Sequence, residues 1–306
     1  MPTATAAVLH DRHADLQLAE IEVDDPRPDE VLVRVVATGV CHTDNSVRDD
    51  VTPFPLPGVL GHEGAGRVEV VGRDVTELAV GDPVVISFAS CGHCPSCRHG
   101  HPVYCDTWGP LNLLGGARAD GSATLALNGT SLHGHFFGQS SFSTLALASA
   151  RNVVKVPKEA PLELLGPLAC GMQTGVQAVV NILRPAPGDT LVVFGAGAVG
   201  LSAVMAGANL TGATVVAVDI NPARLELAGR LGAAHTVNAA EQDPVETMQS
   251  LTGGRGADHA LEIRELVELD QRKAAHASRG RGREPPRERF EQLLPRQQSV
   301  ARVSCR

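Results

Sequence analysis

Aromatic side chains make up only 3% of this 306-residue chain, with a single tryptophan and a single tyrosine, so its cores must be filled mainly by Val, Leu and Ala with much Gly. No apolar run approaches the roughly twenty residues that a membrane-spanning helix needs, which argues against a helical membrane protein. The opening MPTATAAVLHDRHAD lacks a basic region followed by an apolar stretch, so no secretory leader is expected and the chain reads as cytoplasmic. Cysteines are few, 7 in all, and four of them crowd into residues 91 to 105.

The length exceeds what one hydrophobic core usually supports, so two domains are expected. Charge is uneven. From Arg264 onward there are 11 Lys and Arg against 6 Asp and Glu, a balance of +5, whereas the preceding residues carry 15 against 28, a balance of -13. An acidic body repels phosphate backbones and argues against nucleic acid as a partner, leaving only the tail for such contacts.

The first 160 or so residues read as short strands: EVLVRVVATG (30–39), GAGRVEVVG (64–72), PVVIS (83–87) and NVVKVP (152–157) are Val-rich or alternating runs bounded by Gly or Pro. A small β-barrel-like domain is expected there. The texture then changes. LELLGPLACGMQTGVQAVVNIL (162–183) has helical apolar spacing, and strands DTLVVF, TVVAVDI (214–220), HTVN and GADHALEI (256–263) alternate with helix-like runs, the pattern of a parallel sheet with crossover helices. From Arg272 onward Arg, Gly, Pro and Gln dominate, and this stretch is expected not to pack.

Clustered thiols in a cytoplasmic chain are metal ligands more often than disulfides. Cys91, Cys94, Cys97 and Cys105 follow C-x2-C-x2-C-x7-C, and four thiolates meet the tetrahedral demand of zinc with no open position. The bacterial ferredoxin spacing ends differently, which argues against an iron–sulfur cluster. His93, His99 and His101, among the thiols, read as solvated loop residues. Three cysteines remain, Cys41, Cys170 and Cys305. Alone, Cys41 and Cys170 read as small buried hydrophobes, His62 as an isolated histidine, and Asp44 and Glu63 as loop charges.

GVCHTD (39–44), GHEGAG (61–66), the four-cysteine loop, LACG (168–171) and FGAGAVG (194–200) stand in an order and spacing that resembles the zinc-dependent medium-chain alcohol dehydrogenases over residues 1–263. HGHFFGQSSFSTLALA (133–148) looks most like the aryl-alcohol, or benzyl-alcohol, branch. The resemblance implies an α/β plus β architecture: a GroES-like β-barrel catalytic domain over residues 1–171 and an incomplete Rossmann domain, a doubly wound parallel sheet, over 172–263; beyond it, composition leaves a basic, disordered tail over 264–306. It implies two zinc ions per chain, one catalytic and one structural. Cys41, His62 and Cys170 would ligate the catalytic ion, the two-cysteine, one-histidine set of alcohol dehydrogenases generally, with the fourth position left for water or substrate oxygen. Two thiolates and a neutral imidazole bring the site to about zero charge, so a bound alcohol can ionise near neutral pH. Asp44 would accept the free ring N–H of His62 and Glu63 would sit behind the metal. Thr43 would take the alcohol proton, and His42 would face the cofactor pyrophosphate. Many members carry a relay histidine where this chain has Ser46.

Gly195, Gly197 and Gly200 follow a strand, open a helix and precede Asp219, nineteen residues after the last glycine, at the end of the next strand. That context marks a dinucleotide site, with phosphates at the helix N-terminus. Asp219 can accept from both ribose hydroxyls and would repel a 2'-phosphate, so NAD is expected over NADP. By resemblance, Arg224 lies beside the adenosine, and Val199 and Thr174 line the nicotinamide pocket.

The expected function is oxidation of an aryl primary alcohol to the aldehyde with hydride transfer to NAD, the partners being a small alcohol or aldehyde and, by resemblance, a second copy in a homo-oligomer. Phe54, Phe88, Trp108, Phe136 and Phe137 are candidates for an apolar substrate pocket. Polyol oxidation is the alternative within the family. The departure near Ile263, with four strands where a full coenzyme domain has six, suggests a reading-frame change or a miscalled gene end, and the alternative to an active enzyme is a homologue that binds zinc with little or no turnover.

Overall fold

A computed structural model describes residues 1–265 and 299–305. The chain divides into two compact units, Met1–Cys170 and Gly171–Arg306. Among the described residues, no helix is long and apolar enough to cross a membrane.

The first unit holds two five-stranded antiparallel sheets. One has the order β4-β1-β2-β7-β8, from β1 (Thr3–Leu9), β2 (Gln17–Val23), β4 (Gly58–Val59), β7 (Leu125–Leu127) and β8 (Thr130–Leu132). The other has the order β10-β6-β5-β3-β9, from β3 (Glu30–Thr38), β5 (Gly64–Val71), β6 (Pro83–Ile86), β9 (Leu145–Ser149) and β10 (Val153–Lys155). Alternation decides which side each residue faces. Ala4, Ala6 and Val8 of β1 join Ile21, Val23 and Leu32 in one aliphatic core, while Val31 and Val33 of β3 join Val68, Val84 and Ile86 in another.

In the same unit Arg118, 6% exposed, reaches Glu30, 5% exposed. Its Nε and Nη2 donate to the two Glu30 oxygens at 2.7 and 2.9 Å, and Nη1 donates to Asp24 at 2.7 Å. Burial alone would raise the Glu30 carboxyl; the Arg118 bonds and charge and the Arg27 N–H outweigh it and hold it below its ordinary 4.5.

The helices of this unit are short. α1 (His42–Arg48) follows β3, α2 (Pro95–Arg98) lies in the cysteine loop, and α3 (Leu162–Leu165) opens the stretch whose spacing reads as one long helix. That stretch is broken. Pro167 lacks an N–H and starts a 3-10 turn over Gly166–Ala169, Cys170 takes φ -138° and ψ -85°, and a new helix, α4 (Gly171–Gln177), begins beyond it.

The second unit is a parallel sheet of order β13-β12-β11-β14-β15, from β11 (Thr190–Phe194), β12 (Thr214–Asp219), β13 (His235–Asn238), β14 (His259–Glu265) and β15 (Ser299–Cys305). Its central strands β11 and β12 bury both faces, as crossover helices require. Leu191, Val193, Val215 and Ala217 enter one core, and Val192, Val216 and Val218 enter the other. After α4, which opens this unit, come α5 (Ala198–Ala206), α6 (Pro222–Arg230) and α7 (Pro244–Leu251), the last two started by Asn221 and Asp243 side chains that accept N–H groups of the first turn.

One expectation is corrected here. The sequence suggests four strands and a tail that does not pack from residue 264, yet β14 runs on to Glu265 and Ser299–Cys305 add a fifth strand in parallel register, His259 opposite Ser299 through Glu265 opposite Cys305. The reason is backbone pairing: β14 alone would leave a row of unmatched N–H and C=O groups, and a short β-compatible segment satisfies them without a strong hydrophobic pattern. The disorder expected for the rest of the tail falls on 266–298 and 306, outside the described residues.

The Arg118 cluster yields a stability prediction. Arg118→Met leaves Glu30 buried without its cation and should cost about 3–5 kcal/mol at pH 7. Because the Glu30 value is lowered on folding, its contribution is full above pH 4.5 and is lost as pH falls through the folded value, so the gap between variant and parent should narrow in acid. Chemical denaturation at pH 7 and near pH 4 measures both; a gap constant with pH contradicts the assignment.

Candidate active site

Three potential metal donors arrive by different routes. Cys41 ends the loop after β3 and is the N-cap of α1; its backbone N–H donates to Asp44 Oδ2 at 2.9 Å, closing the first turn. His62 lies in the turn before β5, where Gly61 at φ 89° brings it round. Cys170 sits at the break before α4.

The donor atoms converge. Cys41 Sγ lies 3.8 Å from Cys170 Sγ, and His62 Nε2 lies 3.3 Å from Cys170 Sγ. Glu63 adds a carboxylate, and all four donor atoms fall within 4.8 Å of one another. Gly39 makes room for that carboxylate, since a Cβ there would meet Glu63 Oε2. The Glu63 carboxylate thus stands beside the two thiols and the imidazole.

Asp44, 3% exposed, uses its second oxygen to accept the Gly61 N–H at 3.0 Å and to face His62 Nδ1 at 3.2 Å. The tautomer with the proton on Nδ1 leaves Nε2 free as a donor atom. The hydrogen bond with Cys170, joined by the nearby His62 against the opposing effect of burial, pulls the Cys41 thiol down to about 3. Burial would lower the His62 ring, but Asp44 and Cys41 push it up to about 10. The surroundings are anionic and favour a cation. Two thiolates, an imidazole and a carboxylate suit zinc. Thr43, 5% exposed, places its Oγ1 3.7 Å from Cys41 Sγ, beside the donors, while His42 is exposed on α1.

An aromatic cluster surrounds the ring. Phe137 stacks on His62 with centroids 4.5 Å apart and planes at 25°, and Phe136 meets it edge-on at 5.5 Å. Phe54 packs on Phe136 at 5.0 Å and Trp108 on Phe137 at 5.6 Å. Phe54 and Phe136 are buried core, whereas Phe137, Trp108 and Phe88 keep partial exposure; Phe88 makes no ring contact in this cluster. Phe137 holds a left-handed backbone, φ 51°, in which bulky residues are rare and which costs of order 1–3 kcal/mol.

The four thiols at 91, 94, 97 and 105 also come within 4.8 Å of one another. Backbone N–H groups point at their sulfurs: Cys91 N donates to Cys105 Sγ and Cys94 N to Cys91 Sγ, each at 3.3 Å, and Cys97 N to Cys94 Sγ at 3.5 Å. Such donors favour thiolates. His93 and His99 are exposed and bond to backbone carbonyls of their own loop, and His101 is exposed.

In the second unit Gly195, φ 94°, turns the chain from β11 into α5, and Gly200 must lack a side chain because a Cβ would lie 1.7 Å from the Gly195 carbonyl oxygen. The space over Gly197 is open, so backbone can approach a ligand there. Asp219 Oδ2 accepts the Ala196 N–H at 2.6 Å, and Oδ1 accepts those of Ile220 and Asn221 at 2.8 and 2.9 Å. Three of its roughly four acceptor positions are thus filled, leaving about one for a ribose hydroxyl. Arg224 lies 3.9 Å from Asp219, Val199 is buried in α5, and Thr174 is half-buried on α4. The residues present fit a dinucleotide.

Residues 27–158 match the alcohol dehydrogenase GroES-like domain, and residues 198–267 match the zinc-binding dehydrogenase domain. A geraniol dehydrogenase of Castellaniella defragrans is 49% identical over 262 residues, which span 85% of this chain and 69% of that protein. The chain belongs to the zinc-dependent medium-chain alcohol dehydrogenases. Among solved structures, an alcohol dehydrogenase zinc-binding domain protein from Burkholderia ambifaria aligns with TM-score 0.88 at 49% identity, over 99% of this chain and 77% of that one. A benzyl alcohol dehydrogenase from Acinetobacter calcoaceticus aligns with TM-score 0.86 at 43% identity, over 100% and 78%. The antiparallel sheets and the parallel sheet are the GroES-like and Rossmann-like parts of this dehydrogenase.

If the four-thiol cluster holds its own ion, Cys97→Ser in this dehydrogenase should lose one of two bound zinc equivalents, keep the other and unfold at lower temperature. Metal analysis alongside a thermal melt tests this, and an unchanged zinc count refutes it.

Proposed function

We propose that this dehydrogenase oxidises a primary alcohol carrying an aryl or allylic group to the aldehyde, with NAD as hydride acceptor. The observation that carries the reading is the meeting of Cys41, His62 and Cys170 beside the partly exposed, stacked ring of Phe137. Zinc held by these three residues supplies Lewis acidity that makes an alcohol hydroxyl easier to ionise.

The chain's own residues do the rest. Asp44 keeps the His62 ring in one tautomer and one orientation. The Thr43 hydroxyl, beside the donor set, takes the alcohol proton and passes it outward. Phe137 and Trp108 offer aromatic faces to a planar group next to the reacting carbon, a contact worth about 0.5–1.5 kcal/mol beyond burial. The relatives named for geraniol and for benzyl alcohol, one allylic and one aryl, support this substrate class. The Gly195–Gly200 turn and the start of α5 receive the pyrophosphate, and Val199 and Thr174 lie near the nicotinamide. Asp219 repels a 2'-phosphate and so selects NAD, with Arg224 beside the adenosine. Cys91, Cys94, Cys97 and Cys105 would hold a second zinc, whose part would be to order their loop.

NADH formation tests the proposal with benzyl alcohol, 3-methylbut-2-en-1-ol and saturated 3-methylbutan-1-ol. The two unsaturated alcohols should give kcat/KM about tenfold or more above the saturated one, and Phe137→Ala should erase about 2–10-fold of that preference. Equal values for the three alcohols, or equal use of NADP, contradict the proposal.

A further inference from the structure

We propose that Gln139 is a positioning residue for the zinc-ligand imidazole, clamping the backbone on both sides of Glu63 so that His62 Nε2 stays aimed at the two thiols. The proposal rests on the reading that Cys41, His62 and Cys170 hold the catalytic zinc.

Gln139 is 2% exposed, and its amide is used in both senses. Oε1 accepts the Gly64 N–H at 3.0 Å, while Nε2 donates to the carbonyls of His62 and Ile86, each at 2.9 Å. One acceptor faces an N–H and the two N–H donors face two carbonyls, so the amide has one orientation that satisfies every partner. A carboxylate supplies the acceptor without the donors, and an apolar side chain supplies neither. Gly64 is matched to this arrangement, because a Cβ there would lie 2.8 Å from Gln139 Oε1. The clamp also ties the ligand turn to the end of β6 through Ile86.

The loop that delivers Gln139 is itself held in an uncommon shape. His135, Phe137 and Ser140 all have positive φ, 66°, 51° and 50°, and Gly138 has φ 69°. Ser140 Oγ fixes that shape by accepting the Phe136 N–H at 2.9 Å and donating to the Val59 carbonyl at 2.6 Å. The same loop lays Phe137 flat on the His62 ring. His62 is therefore gripped three ways: at Nδ1 by Asp44, on its ring face by Phe137, and through its backbone by Gln139. The first two limit rotation of the ring; Asp44 and Ser141 tie the main chain before it at Gly61, and Gln139 ties the main chain at His62 itself and after it at Gly64.

Gln139→Glu and Gln139→Met, both close in size to the native side chain, test the proposal by metal binding. Zinc release to a chromogenic chelator and the visible absorption of cobalt-substituted protein are read together with a thermal melt. Both variants should still melt cooperatively and retain the four-thiol zinc, yet release the second zinc about tenfold faster or more and shift the cobalt bands of that site. Release rates and bands identical to the parent overturn the proposal. Parallel loss of both metals together with the fold also overturns it, since Gln139 would then serve the domain core and not the ligand. A parent chain that binds only one zinc, in the four-thiol loop, refutes the underlying reading and the clamp with it.

Discussion

The Asp44 carboxylate is the contact around which the metal-binding part of this dehydrogenase is arranged. One oxygen closes the first turn of α1 through the Cys41 N–H, and the other takes the Gly61 N–H and faces His62. A helix start and a turn twenty-one residues away are thereby fixed to each other. A carboxylate buried this deeply is costly unless positive charge or N–H groups surround it. The backbone donors and the imidazole meet part of that need, and a cation at the donor atoms would complete it. The same logic explains why His62 is pushed up when its neighbours are left to balance one another.

A chain with few aromatics places them selectively. Of 7 phenylalanines and one tryptophan, Phe136 and Phe137 meet the His62 ring and Phe54 and Trp108 pack on those two, while the core around Leu191 and Val193 and that around Val31 and Val33 are Val, Leu, Ile and Ala. Rings pack a ligand histidine densely from the side and exclude water from it. They also leave Phe137 and Trp108 partly exposed, so under the proposed function one cluster both packs the histidine and meets a planar substrate.

Much of this was legible in the order of residues. The Val-rich runs marked β3, β5, β6 and β10, and the glycines after DTLVVF marked the turn from β11 to α5, where Gly200 has no room for a side chain. Cys41, His62 and Cys170 could be picked out because several short motifs stood in one order, each weak by itself. What stayed hidden depends on geometry that leaves no periodic trace. Gln139 works through backbone bonds to residues 53 to 77 positions away. The left-handed turns at His135 and Phe137 use residues that seldom adopt them. The break at Cys170 came from Pro167 inside a stretch of good helical spacing, and β15 came from edge pairing that composition does not reveal.

The central claim is that two separate groups of side chains hold two zinc ions in different roles. Crystals of the purified chain measured just above and just below the zinc absorption edge test it most directly. The account predicts two anomalous peaks, one enclosed by Cys91, Cys94, Cys97 and Cys105 and one touching Cys41, His62 and Cys170. A single peak in the four-cysteine loop, with the second group empty in zinc-replete protein, would contradict it.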